Sequence, residues 1–429
     1  MRLTIAIVLT VVTISPQPGR AQAVKPGDLL TPDQASAVAD LVSPGNLVLV
    51  RQGMRMKIVP TERLEWPPPY KSATEKYSPQ VRLDDKGNLQ NYVAGLPFPL
   101  LDPNDPQVAS KVVWNFSYRP AGTDDVDVRN VETVSRHDHD EIPGQPTMHI
   151  TTAHVSTYNN VGRTEVQPIP TDPNADLTGI RYRFGAFPVL EPATIRGIGY
   201  MRFRYRDPMT EDNIWWYFPG ARRVRRSRAD AQSDATNTNN IDPDSYSGFA
   251  AKVEDFNYRL LGVRPMLAVA HAANLPAQPC EFDNYRTICP ENWEMRRLYI
   301  VEATEKPLSW HQSIGTSGLS IPRRILYIDS EGWFIAASDQ YSKDGALWKT
   351  LAIFTAYRDN SAIGGSKVAV YPFKRIFQTA MVDEDIVTGF STISFTPGRE
   401  TKDPSGWYID LGLIPPDYLD PHQMEIVGH

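Results

Sequence analysis

The stretch RRILYIDSEGWFIAASDQYSKDGALWKTLAIFTAYR, Arg323 to Arg358, decides the fold class. It holds three runs rich in Ile, Leu, Tyr, Phe and Ala, separated by Ser330-Glu331-Gly332 and Lys343-Asp344-Gly345. Apolar runs of this length bounded by glycine turns are strands of an antiparallel meander. Upstream, RRLYIVEATE (Arg296 to Glu305) adds a strand closed by Lys306-Pro307. Farther upstream, YMRFRYR alternates Met201, Phe203 and Tyr205 with Arg202, Arg204 and Arg206, a two-faced strand. Asp207 to Asn213 turns it back as IWWYF (Ile214 to Phe218), and Pro219-Gly220 turns the chain again into ARRVRR. The chain therefore reads as α+β and β-dominated.

Outside these strands the pattern changes. Thr31-Pro32-Asp33-Gln34 followed by Ala35 to Leu41 reads as a capped short helix, ended by Ser43-Pro44-Gly45. From Trp66 to Pro120 the proline content (WPPPY, GLPFPLLDPNDP) predicts extended segments wrapped over a core. Trp66, Tyr70, Tyr92, Phe98 and Trp114 in that stretch need burial, so it is no linker. Asp230 to Gly248 is polar and reads as a long surface loop, and Gly398 to His429 as a tail anchored by Trp407-Tyr408. No composition break divides the chain. Residues 24–429 are expected to form one large domain: 24–86 an N-terminal helix and extended segments, 87–400 the core, 401–429 the tail.

The N-terminus reads as a secretory signal. Arg2 is followed by an apolar run from Leu3 to Ile14, then Pro16, Pro18 and Gly19, then Ala21-Gln22-Ala23, which predicts cleavage after Ala23. About 12 apolar residues are too few for a span that needs roughly 20. No later stretch is apolar and long enough either, so no transmembrane segment is expected after cleavage. Losing Arg2 and Arg20 takes the formal charge from −6 to −8, which argues against nucleic acid as a partner. Cys280 and Cys289 lack the CxxC spacing of redox motifs, and in an oxidising compartment they are expected to pair as a disulfide.

Catalytic motifs are absent. Gly315-Thr316-Ser317-Gly318 and Gly364-Gly365-Ser366 both miss the nucleophile-elbow pattern, and no P-loop or dinucleotide fingerprint occurs. His137-Asp138-His139-Asp140-Glu141 is dense in metal ligands but lacks a distant histidine pair, and Asp242-Pro243-Asp244 fails as a calcium loop at Tyr246 and Val253. No catalytic residue, metal or cofactor is expected. The arginines of WWYFPGARRVRRSR stand out: Arg222, Arg223, Arg225, Arg226 and Arg228. Strand alternation sets Arg222 and Arg226 on one face and Arg223 and Arg225 on the other. They either form a charged edge that resists edge-to-edge pairing or bind an anionic headgroup or partner.

The blocks GNLQNYVAGLPFPLLDPNDPQVASKVVWNF, YFPGARRVRR, DSYSGFAAKVEDFNYRLLG, MRRLYIVEAT and RRILYIDSEGWFIAASDQYSKDGALWK together resemble the periplasmic family of domain of unknown function 1329. The arginine block is matched at Pro219, Gly220, Arg222, Arg223, Val224, Arg225 and Arg226. It departs where a short apolar stretch is replaced by polar SRADAQSDATNTNN. The resemblance implies a fold similar to outer-membrane lipoprotein-sorting carriers: a strongly curved antiparallel half-barrel whose concave apolar face is closed by helices. It also implies a periplasmic protein that binds or transports a lipid or other hydrophobic molecule towards the outer membrane, alongside an RND-type lipid exporter. On that reading the trough lining is drawn from Met201, Phe203, Tyr205, Trp216, Phe218, Tyr299, Leu326, Tyr327, Trp333 and Phe334. Phe203, Tyr205, Trp216 and Trp333 are the leading ligand contacts, with the arginine strand at its mouth. Two rivals are a protein-binding accessory of an envelope export complex, which would have a filled core, and a hydrolase, which would need a nucleophile paired with histidine in a cleft.

Overall fold

The computed structural model describes residues 24–137, 147–227, 242–280, 285–307, 321–360, 369–395 and 406–428. The expected signal at 1–23, the cluster at 138–141, Arg228 and most of the polar loop lie outside them. Two antiparallel meanders make the body. The first is β5 (Asp125–His137), β6 (Thr147–Asn159), β7 (Ile180–Glu191), β8 (Gly199–Tyr205), β9 (Asn213–Phe218) and β10 (Arg223–Ser227). The second is β11 (Phe256–Ala268), β12 (Glu291–Glu305), β13 (Arg323–Asp329), β14 (Ile335–Tyr341), β15 (Leu347–Asn360), β16 (Val370–Asp385) and β17 (Ser391–Phe395). β17 pairs with β5, which joins the meanders into one sheet. Short β1 (Leu29–Leu30) and β2 (Met56–Ile58) extend it beside β12, and β3 (Arg82–Leu83) with β4 (Leu89–Gln90) forms a separate ribbon. The expected β-dominated fold is the observed one, and the strands of the quoted stretch fall at β13, β14 and β15.

The alternation of β15 shows how the layers stack. Ala352 and Phe354 pack with helix α1 (Pro44–Gln52), while Leu351 and Ile353 pack with helix α3 (Val108–Ser117) on the opposite face. Between them in sequence, helix α2 (Pro68–Tyr77) buries Tyr70 against the α3 side. The stretch 66–120 is thus helical in two places, where proline content suggested only extended chain. Prolines open helices when they stand in the first turn, as Pro68 does.

The same rule corrects the N-terminal reading. Residues Pro32–Val38 form a 3₁₀ helix, and Ser43-Pro44-Gly45 starts α1 instead of ending a helix. Ser43 caps it by accepting from the Asn46 N–H at 3.0 Å. The helix start is pressed onto β14 and β15: the buried Asp339 carboxylate accepts from the Gly45 N–H (3.2 Å), Ser43 Oγ (3.1 Å) and Thr350 Oγ1 (2.8 Å). Burial pushes that carboxyl up to about 6, against the pull of these donors.

The C-terminal stretch is likewise no loose tail. β18 (Gly406–Ile409) pairs with β5, and Trp407 is buried. Asp125 accepts from the N–H groups of Gly412, Leu413 and Ile414. Two short helices complete the fold, α4 (Asn174–Thr178) and α5 (Pro421–Val427). Cys280 and Cys289 are disulfide-bonded in the loop between β11 and β12, whose Ile288 belongs to the α1 core. No helix among the described residues is long and apolar enough to cross a membrane.

Candidate functional site

Residues of both meanders line one cavity of about 680 Å³, so the sheet bends around it, with β10 left as an unclosed edge. The floor comes from alternate residues of β5 to β9, set in register by the ladder. One rung is Val131, Ala153 and Val189; the next is Val128, Val155, Ala186, Tyr200 and Trp216. A third runs through Thr157, Phe184 and Arg202, and a fourth through Asn159, Tyr182 and Arg204. Four rungs span about 20 Å at roughly 3.3 Å per residue. Along that length the lining passes from valine and alanine to aromatic and then to arginine. Ile353, Phe377 and Met381 of the second meander face the floor, and the end of α3 with residues 243–253 covers it.

The expected ligand contacts divide. Trp216 lines the cavity and lies 4.9 Å from Tyr200, ring to ring. Phe334 also lines it. Phe203 and Tyr205 are on the opposite face of β8, in a core with Ile414, Leu419 and Met424 of the C-terminal segment. Phe203 there meets Trp215 edge-on at 4.6 Å and carries the Arg183 guanidinium at 5.0 Å. Trp333 is buried in the α3 core, stacked on Tyr299 at 5.7 Å. The period of YMRFRYR was legible but its phase was inverted, because both faces of β8 are covered and Tyr200 and the arginines, not Phe203 and Tyr205, turn to the cavity. Arg204 makes a two-pronged pair with buried Asp212 (2.7 and 3.0 Å), and Arg202 pairs with Asp244 (2.9 Å). Burial works to raise both carboxyls. Arg204 outweighs it at Asp212, which stays below the usual range, whereas Asp244 is held above it.

Asp244 and its neighbour Ser245 come from the stretch expected as a surface loop. Ser245 is fully buried and accepts from Arg324 Nη1 (2.9 Å) and Gln340 Nε2 (2.8 Å). Its hydroxyl and the Asp244 carboxylate offset the burial of Arg324 and Arg202 respectively.

The arginine strand lies elsewhere. Arg222 stands in the left-handed turn before β10, outside the alternation, and Arg223, Arg225 and Arg226 are in β10; all four are solvent-exposed. None lines the cavity. β10 is the terminal edge of the sheet, paired only to β9, and Arg226 donates to Asn213 Oδ1. The cavity arginines, Arg119, Arg181, Arg202 and Arg204, were missed; the three in strands stand among tyrosines (IRYRF, YMRFRY), the one signal that set them apart from surface cations.

The profile of the family described as Protein of unknown function (DUF1329) matches residues 30–396. No curated protein matches the chain. Among solved structures, a DUF1329 family protein from Desulfovibrio piger shares 14% identity, with 73% of this chain and 96% of that one covered at a TM-score of 0.45. The LolA superfamily protein NE2245 from Nitrosomonas europaea shares 14% identity over 64% of this chain and 84% of that one, at a TM-score of 0.33.

Proposed function

Because the chain belongs to the DUF1329 family, whose description carries no activity, we propose from its cavity that it is a non-catalytic carrier of a lipid or similar hydrophobic molecule. The observation that carries this reading is the 680 Å³ space floored by valine, alanine and aromatic side chains inside one bent sheet. Sites that bury most of a small organic ligand fall at roughly 300–1,000 Å³. A filled core, as a purely protein-binding accessory would have, leaves no such space. Each methylene moved from water into it gains about 0.8 kcal/mol, which is what an escort across an aqueous compartment requires. The test is displacement of a lipophilic fluorophore from the purified protein by natural lipid extract, followed by mass spectrometry of what co-purifies. Fluorophore bound and displaced supports the carrier; folded protein that binds neither fluorophore nor any fatty acid, phospholipid or sterol refutes it.

The periplasm as compartment, a path towards the outer membrane, and an RND-type exporter as donor rest on the family resemblance and the AQA signal pattern. We assign partner recognition to the exposed edge at Arg222, Arg223, Arg225 and Arg226, because a solvent-facing row of guanidinium groups suits an anionic membrane or protein surface. Arg223→Gln with Arg225→Gln should lower binding to anionic vesicles at low salt roughly 30-fold, at about 1 kcal/mol per arginine. Fluorophore affinity and melting temperature should stay unchanged. A double variant that unfolds, or one that binds vesicles as the wild type does, makes these arginines a structural edge.

A further inference from the structure

The charge lining the cavity is one-sided. Four arginines contribute to its wall, Arg119, Arg181, Arg202 and Arg204, and no Asp, Glu, Lys or His among the described residues does. This occurs in a chain whose formal charge is −6. Arg204 and Arg202 are matched from behind by Asp212 and Asp244. Arg119 and Arg181 have no carboxylate within 4 Å among the described residues. Arg181 is buried, and its one hydrogen bond there runs from Nη2 to Ser117 Oγ at 2.6 Å. Arg119 donates from Nη1 to the Phe116 carbonyl at 3.1 Å. A guanidinium has five N–H donors, so most of the donor capacity of both is unused.

The fold goes out of its way to bring Arg181 here. Ile180 pairs with Tyr205 and Tyr182 with Arg204, so Arg181 is the extra residue of a β-bulge. A bulge re-aims one side chain, and this one turns Arg181 to the cavity side alongside Tyr182. Its guanidinium face rests on Tyr118 (4.2 Å) and Trp114 (5.3 Å). Stacking of that kind occupies the face and leaves the N–H edge in plane for an anion. Burial lowers the Arg119 guanidinium to about 10, the mark of a cation held without a counter-ion. Two further buried polar atoms of the lining, Tyr200 Oη and Arg202 Nε, have no hydrogen-bond partner among the described residues.

We propose that the cavity takes an amphiphile with an anionic headgroup, a carboxylate or a phosphate, held by Arg119 and Arg181, with its chain along the valine and alanine rungs. This rests on the carrier reading and names the class of cargo. The polarity gradient along the strands sets the direction: headgroup at the Tyr182 rung, tail towards Val131 and Val189.

The test compares three probes with the same chain: hexadecanoate, hexadecyl phosphate and hexadecan-1-ol, each displacing the fluorophore from the purified protein. Either anion should bind at least about tenfold more tightly than the alcohol, as expected of a charge-assisted pair in a partly desolvated site. The larger advantage tells carboxylate from phosphate. Arg119→Gln with Arg181→Gln should bring the anions to within about twofold of the alcohol measured on the same variant. Should that variant fail to fold, the wild type decides: below about pH 4 the carboxylate is protonated, so hexadecanoate should fall to the alcohol's level while hexadecyl phosphate keeps its advantage. Equal binding of all three probes by wild type overturns the headgroup site and leaves the carrier standing. An anion preference that persists in the double variant removes the assignment to Arg119 and Arg181. Binding of none of the three sinks the carrier reading itself.

Discussion

Gly45→Ala is expected to destabilise the protein by about 4 kcal/mol or more, in the range reached only by a few mechanisms. A Cβ on Gly45 would fall on Thr350 Oγ1 and Cβ and on Asp339 Oδ1, far inside the 3.0 Å below which such contacts essentially never occur. Thr350 and Asp339 are fully buried and cannot step aside. The start of α1 must therefore lift off the sheet. That would break the Gly45 bond to Asp339, strand a buried carboxylate and loosen Leu49 and Val50 from the core. At roughly 2.1 cal/mol/K per residue, such a loss lowers the melting temperature of a chain this long by about 5 °C or more. Gly220→Ala is the control, since a Cβ there meets nothing within 4 Å, and it should melt as the wild type does. Calorimetry showing Gly45→Ala within about 1 °C of wild type would mean that α1 is not seated as described.

The second large effect is on binding. Ala153 lies in the middle of the first rung of the cavity floor, opposite Val131 on β5 and Val189 on β7. Ala153→Trp points an indole into the space without touching the cores around α1 or α3. Displacing about four methylenes of a bound chain costs about 3 kcal/mol, which is a loss of roughly 100-fold in affinity. The melting temperature should change little, because the side chain enters a void and not a packed interior. Unaltered fluorophore affinity in a folded Ala153→Trp variant would place the ligand somewhere other than this cavity.

Much of the second meander was legible because β13 to β15 are continuous apolar runs interrupted by glycine turns, and both signals are local. The reading failed where position in three dimensions decides the meaning of a residue. Pro44 and Gly45 look like a stop, and they are a start: Ser43 caps the helix, and Asp339, far along the chain, seats that cap on the sheet. The YMRFRYR alternation gives the period of β8 and nothing about its phase. That phase is set by Asp212 in the following turn, whose role the pattern does not announce, and by Asp244, Leu419 and Met424, which are far along the chain. The cavity itself was inferred from resemblance, and its valine and alanine floor on β5 and β6 passed unnoticed because small residues carry no distinctive signal. The tyrosines around Arg181 were its one signal, and its aim into the cavity was hidden, since a bulge is visible only once the partner strand is known.

The pairing of β5 with β17 has a consequence for the order in which the chain can assemble. β5 gains its first neighbour, β6, from the residues that follow it directly, but its other edge waits for residues 391–395 and then 406–409. For most of synthesis that edge would present unpaired backbone groups, the condition that invites association with other strands. Contacts closing so long a span are also slow to form. A nascent chain therefore cannot finish its sheet early, and the last strands act as the clasp that commits the whole.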